Sequence, residues 1–290
     1  MRRVADARVV LVRLPESRGV AGALNAGLAR CREPFVARLD ADDVAAPGRF
    51  AAQAAALAAR TDVDFLGAGC VSFDLATNTA GTYVQHPHCP LLVGWALHFS
   101  CCVAHPTVLC RRAALEALGG YDERCRAEDY DLWLRATERN ATAVMNLSEP
   151  LVWLAKAATS VSGARGAELR ADADAAAARA AARRRGGRVD AAAAAALRRP
   201  EDGGLAALGA AGDLLLRLEA AFLAADPGPV PDSPTLRLGP ARAAAHVRAD
   251  VLARLGELHV HAMRQGGVCG AWTRRATPAQ QAAALRALLS

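Results

Sequence analysis

Two groups of carboxylates stand out as able to do chemistry. LDADD, residues 39–43, closes an apolar run with three aspartates, and the strand ends of open α/β sheets are where ligands bind. Asp40 and Asp42 form a DxD, a spacing in which one carboxylate reaches a sugar ring or ribose while the next holds a divalent cation against two phosphates. Magnesium and manganese favour such hard oxygen ligands and commonly take one or two from protein. The same aspartates would equally suit a capping turn ahead of the next helix.

The second group, Glu128, Asp129 and Asp131 in EDYDLWLR, opens a helical pattern, where carboxylates favour the positive helix end. Asp131 has Arg135 four residues on, an arrangement expected at an exposed surface and tolerant of replacement. Asp129 shares a face with Leu132, Trp133 and Ala136, so it is expected to point towards the sheet. A carboxylate there can act as general base for a hydroxyl group.

The elements that must position these groups read as an alternation of strands and helices. A strand is expected at residues 8–14 (RVVLVRL), a helix over Gly19–Cys31, a strand at 34–40 and a helix with Pro47 in its first turn. Further on, VDFLGAGCVSFD, GTYVQ and CCVAHPTVL are β-rich, PLLVGWALHF is helical and GGY at 119–121 is a turn. EDYDLWLRATER is a strong helix, followed by two strands, TAVMNL and PLVWLAK. The order fits an α/β layer that ends in a mixed sheet.

Beyond Gly163 the texture changes to Ala/Arg-rich segments such as ADADAAAARAAARRRGGR, with the Gly/Pro-rich DPGPVPDSP between them. Ala and Arg favour helix, but few large side chains are offered for burial. The chain therefore divides into residues 1–163 and an extension, residues 164–290, which is helical or disordered.

Of the formal net charge of +6, none falls before residue 164, where 17 basic residues face 17 acidic ones. Lys156 is the only lysine, which points to coding bias rather than a polyanion-binding surface, and nucleic acid is not an expected partner. No run of eighteen apolar residues occurs, so no membrane span is expected. The eight cysteines lack CxxC spacing and read as reduced, buried residues of a cytoplasmic protein. His86, His88 and Cys89 lack a second ligand pair for zinc and read as loop residues.

Three separated segments then agree, in order, with one family. RGVAGALNAGLARCREPFVARLDADDVAAPGRFAAQAAAL (18–57), HPTVLCRRAALEALGGYDE (105–123) and AEDYDLWLRA (127–136) resemble family 2 glycosyltransferases of the GT-A fold, including β-1,3-N-acetylglucosaminyltransferase-like members. The resemblance implies a UDP-sugar donor, with N-acetylglucosamine as the candidate sugar, and a glycan or other hydroxyl acceptor. It implies Mn²⁺ or Mg²⁺ at Asp42 and Asp40, with Asp40 also holding the nucleotide sugar. Asp129 becomes the base and Glu128 its nearest rival, in an inverting single displacement. His105 would lie by the donor or acceptor pocket or simply pack, and Arg18 and Asn25 would line the nucleotide side or be a solvated turn and a polar helix residue.

Two departures accompany the resemblance. Relatives carry a Tyr-Arg-x-His-like segment where LVWLAKAATSVS offers Trp153 and Lys156 and no His. The family's opening βαβ unit, which holds the uracil, would precede Val9, where only a few residues stand. On that basis the strand at 8–14 is expected as an exposed edge. The other reading is a non-catalytic homologue kept as a binding or regulatory domain.

Overall fold

A computed structural model describes residues 6–74, 77, 79–156, 166–185, 188–224, 240–265, 269–277 and 279–280. Helices α1 (Gly19–Leu28), α2 (Arg49–Ala59), α3 (Pro90–Ala96), α4 (Arg112–Ala117) and α5 (Glu128–Arg139) surround one sheet. Its strands are β1 (Phe35–Ala37), β2 (Val44–Ala45), β3 (Phe65–Asp74), β4 (Thr79–Val84), β5 (Leu109–Arg111) and β6 (Val144–Lys156). Their order is β1-β5-β3-β6-β2, with β4 folded onto β3. Only β3 and β6 run parallel, so the sheet is mixed, as a GT-A-like fold requires.

Alternation along the strands sets the two faces. Leu66, Leu109 and Met145 pack with Leu57 of α2 on one face. Their chain neighbours Phe65, Cys110 and Val144 point the other way, into a core with Trp133 of α5, Leu115 of α4 and Ala21 of α1. Phe65 and Trp133 meet edge to face at 5.5 Å, an arrangement worth about 0.5–1.5 kcal/mol beyond area burial.

Several elements differ from the sequence expectations. Residues 8–14 form no strand, and Val9, Val10 and Leu11 are exposed; no strand among the described residues pairs with them, and a strand needs a neighbour for its backbone groups. TAVMNL and PLVWLAK join in one strand, β6, because the intervening Ser148 and Glu149 form a bulge, with Leu147 paired to Ala68 before it and Pro150 to Gly69 after it. A proline lacks the amide a ladder needs, which is why it sits beside the bulge. Pro47 lies just outside α2, whose N-cap is Gly48. CCVAHPTVL is mostly irregular, with a 3₁₀ turn at His105–Thr107 before β5.

The described residues of the extension are mainly helical: α6 (Gly166–Arg185), α7 (Ala191–Arg198), α8 (Leu205–Ala224), α9 (Pro240–Arg264) and α10 (Gly270–Arg275). DPGPVPDSP lies outside the described residues. Contrary to the expectation of little to bury, Leu208, Leu215, Val247, Val251 and Leu255 form a core with Trp95 and Phe99 beside α3. Alanine itself does the packing on α6, where Ala173, Ala176, Ala177 and Ala180 face the α5 core; small side chains let the two helices approach closely.

Cys70, Cys89, Cys102, Cys110, Cys125 and Cys269 are buried as expected, while Cys31 is half-buried and Cys101 exposed. No helix is long and apolar enough to cross a membrane among the described residues.

Candidate functional site

The turn leaving β1 gathers Asp40, Asp42 and Asp43, whose nearest carboxylate oxygens lie within 4.8 Å of one another. Among the described residues no other group of three His, Cys or carboxylate ligands comes so close; His86, His88 and Cys89 form none. Asp40 Oδ2 accepts from Arg38 Nη1 at 2.7 Å. Asp43 Oδ1 accepts from the Ala155 amide at 2.9 Å, whereas its Oδ2 is buried without a partner. Burial, followed by the repulsion of Asp40 and Asp42, raises the Asp43 carboxyl above its usual range. An orphaned carboxylate oxygen among further carboxylates is costly unless a cation joins them, and three hard oxygen donors fit Mg²⁺ or Mn²⁺. None of these aspartates caps α2, whose N-cap makes no side-chain bond.

What fixes this turn is a buried polar pair one helical turn apart on α2. Arg49 Nη2 donates to the Arg38 carbonyl at 2.9 Å and Nε to Gln53 Oε1 at 3.0 Å. Gln53 Nε2 donates to the carbonyls of Leu66 and Thr107 at 2.9 and 2.8 Å. The two side chains thus tie the start of the acidic turn to β3 and to the turn containing His105.

On the opposite side, α5 begins with Glu128 and Asp129. Glu128 is buried, and burial with the adjacent Asp129 charge pushes its carboxyl up to about 7. Asp129 is half-buried and also raised, burial outweighing the Tyr130 amide that donates to its Oδ1 at 2.7 Å. Of these two adjacent carboxyls that resist ionisation, Glu128 can hold and release a proton near neutrality. Asp131, expected at the surface, is instead buried and bridges Arg135 and Arg179 at 2.7 and 3.2 Å. Its register faces α6, which the helical pattern of α5 alone does not reveal.

These parts meet in one cleft of about 530 Å³. Of the residues singled out in the sequence, Arg18, Asp40, His105, Glu128 and Asp129 line it, with Asp42 beside Asp40 in the acidic cluster. His105 is buried, its Nε2 bonded to Tyr121 Oη at 2.9 Å and its ring edge-on to Trp133. Burial lowers it to about 3 and keeps the imidazole neutral.

Besides Asp42, Asn25 and Trp153 stand outside the lining. Asn25 clamps the GGY turn, Trp153 is exposed on β6 opposite Val44, and the side chain of Lys156 lies outside the described residues. Sequence reasoning missed Arg38, Glu123 and Arg126, which also line the cleft, and Leu169, contributed by α6. Arg38 carried a signal, two residues before Asp40 on an alternating strand; Leu169 carried none.

Each arginine of the cleft is already paired. Arg18 meets Glu123 at 2.6 Å, Arg38 meets Asp40, and Arg126 meets Glu168 and Asp172 at 3.2 and 3.4 Å. The cleft therefore offers no unpaired guanidinium to a polyphosphate.

Residues 1–171 match the family described as glycosyltransferase like family 2. The chain is 31% identical over 156 residues to an uncharacterized glycosyltransferase of Haemophilus influenzae, covering 54% of this chain and 57% of that one. It is 30% identical over 154 residues to the amylovoran biosynthesis glycosyltransferase of Erwinia amylovora, covering 49% and 50%. It is 28% identical over 123 residues to a UDP-Gal:α-D-GlcNAc-diphosphoundecaprenol β-1,3-galactosyltransferase of Escherichia coli, covering 42% and 44%. The chain thus spans about half the length of these curated relatives. With the family match extending over more than half of its residues, the chain belongs to the family 2-like glycosyltransferases.

Proposed function

We propose that the chain transfers a sugar from a UDP-sugar to a neutral hydroxyl acceptor such as a glycan, inverting the anomeric carbon. The observation that carries this reading is that Asp40, from the acidic cluster, and the Glu128–Asp129 pair face one cleft. The prior pairing of every arginine in the cleft adds a second argument, because a diphosphate entering among so many carboxylates needs a cation. Bound by Asp42 and Asp40, with Asp43 beside them, Mn²⁺ or Mg²⁺ would stabilise charge on the diphosphate, a contribution of several kcal/mol.

Asp129 is assigned as base, with Glu128 as its rival. The carboxylate takes the acceptor hydroxyl proton, the acceptor oxygen bonds to the anomeric carbon, and the bond from that carbon to the diphosphate breaks, its electron pair leaving with the nucleotide. Arg18, paired with Glu123, and Arg38, paired with Asp40, shape the donor side of the cleft, and neutral His105 supports its floor. The sugar is a hexose or N-acetylhexosamine; the Escherichia coli relative is named for UDP-galactose, and N-acetylglucosamine is the other candidate. In this reading residues 1–163 form the transferase and 164–290 an extension.

The test is UDP release with Mn²⁺ across UDP-sugars and simple glycoside acceptors, together with calorimetric UDP binding. Asp129→Asn is expected to lower turnover by ~10² or more with UDP affinity nearly unchanged. Metal-dependent binding without turnover on any acceptor would favour a non-catalytic binding module, and absence of both would reject the reading.

A further inference from the structure

We infer that Asp172, on α6 of the extension, is a positioning residue for the carboxylate pair of the cleft, acting through Arg126; the inference rests on the transferase reading above. Helix α5 has no side-chain cap of its own, because its N-cap is Ala127. The segment entering it is held from outside. Asp172 Oδ2 accepts from the Arg126 backbone amide at 2.9 Å and from its Nη1 at 3.4 Å, and Glu168 pairs with Arg126 Nε at 3.2 Å. Arg126 stands two residues before Glu128, so this one carboxylate fixes the backbone that presents both acids.

The grip is part of a single α6 face. Asp172, Arg179 and Arg183 follow at spacings of seven and four, which place them on one side of the helix. They engage in turn Arg126, Asp131 and Glu138, from the start of α5 to its end. Leu169, one turn before Asp172, lines the cleft itself. Ala173, Ala176, Ala177 and Ala180 fill the space between the helices, which brings α6 close enough for these short contacts. Asp172 and Arg183 therefore dock the same two helices, yet only Asp172 touches the segment beside the acids. That difference is what separates positioning from mere attachment. Catalytic groups misplaced by about 1 Å can lose ~10²-fold in rate.

Asp172→Ala is expected to lower kcat by roughly tenfold or more with little change in donor KM. Asp172→Asn, which keeps an oxygen for the Arg126 amide, should recover part of that loss. Arg183→Ala breaks a docking pair far from the cleft and should leave kcat within about twofold, since such half-exposed pairs contribute little. Hydrogen exchange supplies a readout independent of turnover: Asp172→Ala should deprotect residues 125–131 while the middle of α6 stays protected. Equal losses of kcat in Asp172→Ala and Arg183→Ala, or unchanged protection at 125–131, would overturn the inference. If the unaltered chain transfers no sugar, the transferase reading fails, and the exchange comparison still decides whether Asp172 orders the segment.

Discussion

Asn25 holds the backbone of Tyr121 from both sides: its Oδ1 accepts from the Tyr121 amide and its Nδ2 donates to the Tyr121 carbonyl, each at 2.9 Å. The turn it grips contains Gly119 and Gly120 at φ 77° and 72°. A Cβ on Gly120 would stand 2.6 Å from Asn25 Oδ1, so only glycine lets the clamp close. Tyr121 in turn bonds His105, which carries the clamp into the cleft. Asn25→Ala is expected to cost about 2–3 kcal/mol in urea unfolding, through two lost bonds and groups left unsatisfied. Metal-dependent UDP affinity should change less than twofold, because Asn25 itself lies outside the cleft lining.

The raised carboxyl of Glu128 makes a signed prediction. Between its ordinary 4.5 and about 7, the unfolded chain releases this proton while the folded chain keeps it. Rising pH through that window therefore favours unfolding, by at most ~3 kcal/mol. Glu128→Gln removes the effect, so the variant should be more stable than the unaltered chain at pH 8 and similar to it at pH 4, as denaturant titrations at both pH values would measure. Its turnover separates the two candidate bases. With Asp129 as base, turnover should survive in Glu128→Gln; with Glu128 as base, it should disappear.

The acidic turn predicts a cation effect on folding itself. A ligand that binds only the native state stabilises it by mass action, about 2.7 kcal/mol at a hundredfold excess over Kd. Mn²⁺ with UDP should thus raise the Tm of the unaltered chain. Asp42→Ala should abolish that rise while leaving the metal-free Tm nearly unchanged, since the exposed Asp42 contributes little to stability. A full rise in the variant, read by differential scanning fluorimetry, would remove Asp42 from the site.

Much of this site was legible in the sequence because its chemistry is carried by local patterns. The aspartates follow one short strand, which brings Asp40 to the cleft, and Asp129, expected from the 3.6-residue repeat of α5 to turn towards the sheet, lines the cleft half-buried. What was not legible depends on partners distant in sequence. Arg126 and Leu169 enter the cleft only because α6 folds back along α5, and alanines that read as low complexity are the residues that permit it. RVVLVRL has the composition of a strand, but a strand exists only where another offers its edge. The bulge at Ser148 and Glu149 was likewise hidden, because a proline in an apolar run reads as a boundary between two strands.

Asp131 gives the sharpest contrast between local and tertiary reasoning. The spacing to Arg135 suggests a solvated pair of the kind worth about 0.3–0.5 kcal/mol, and on that ground Asp131→Asn should be nearly silent. In the fold the Asp131 side chain is 6% exposed, and its two oxygens serve different helices, Oδ2 taking Arg135 Nε and Oδ1 taking Arg179 Nη2. Arg135 continues to the carbonyls of Leu118 and Gly120 at 2.8 and 2.9 Å, so the network also braces the turn clamped by Asn25. Removing the charge leaves two guanidiniums facing a neutral amide that must present an NH₂ donor to one of them. Breaking a buried pair costs roughly 3–5 kcal/mol, and the half-exposure of Arg179 reduces that to about 2–3 kcal/mol here. Asp131→Asn is therefore expected to be destabilising by that amount in urea, and Arg179→Ala by less, because the Arg135 pair survives. A double variant should lose less than the sum of the two, as expected of residues sharing a partner. Strict additivity, or an Asp131→Asn chain as stable as the unaltered one, would mean that the pairs between α5 and α6 do not form in solution.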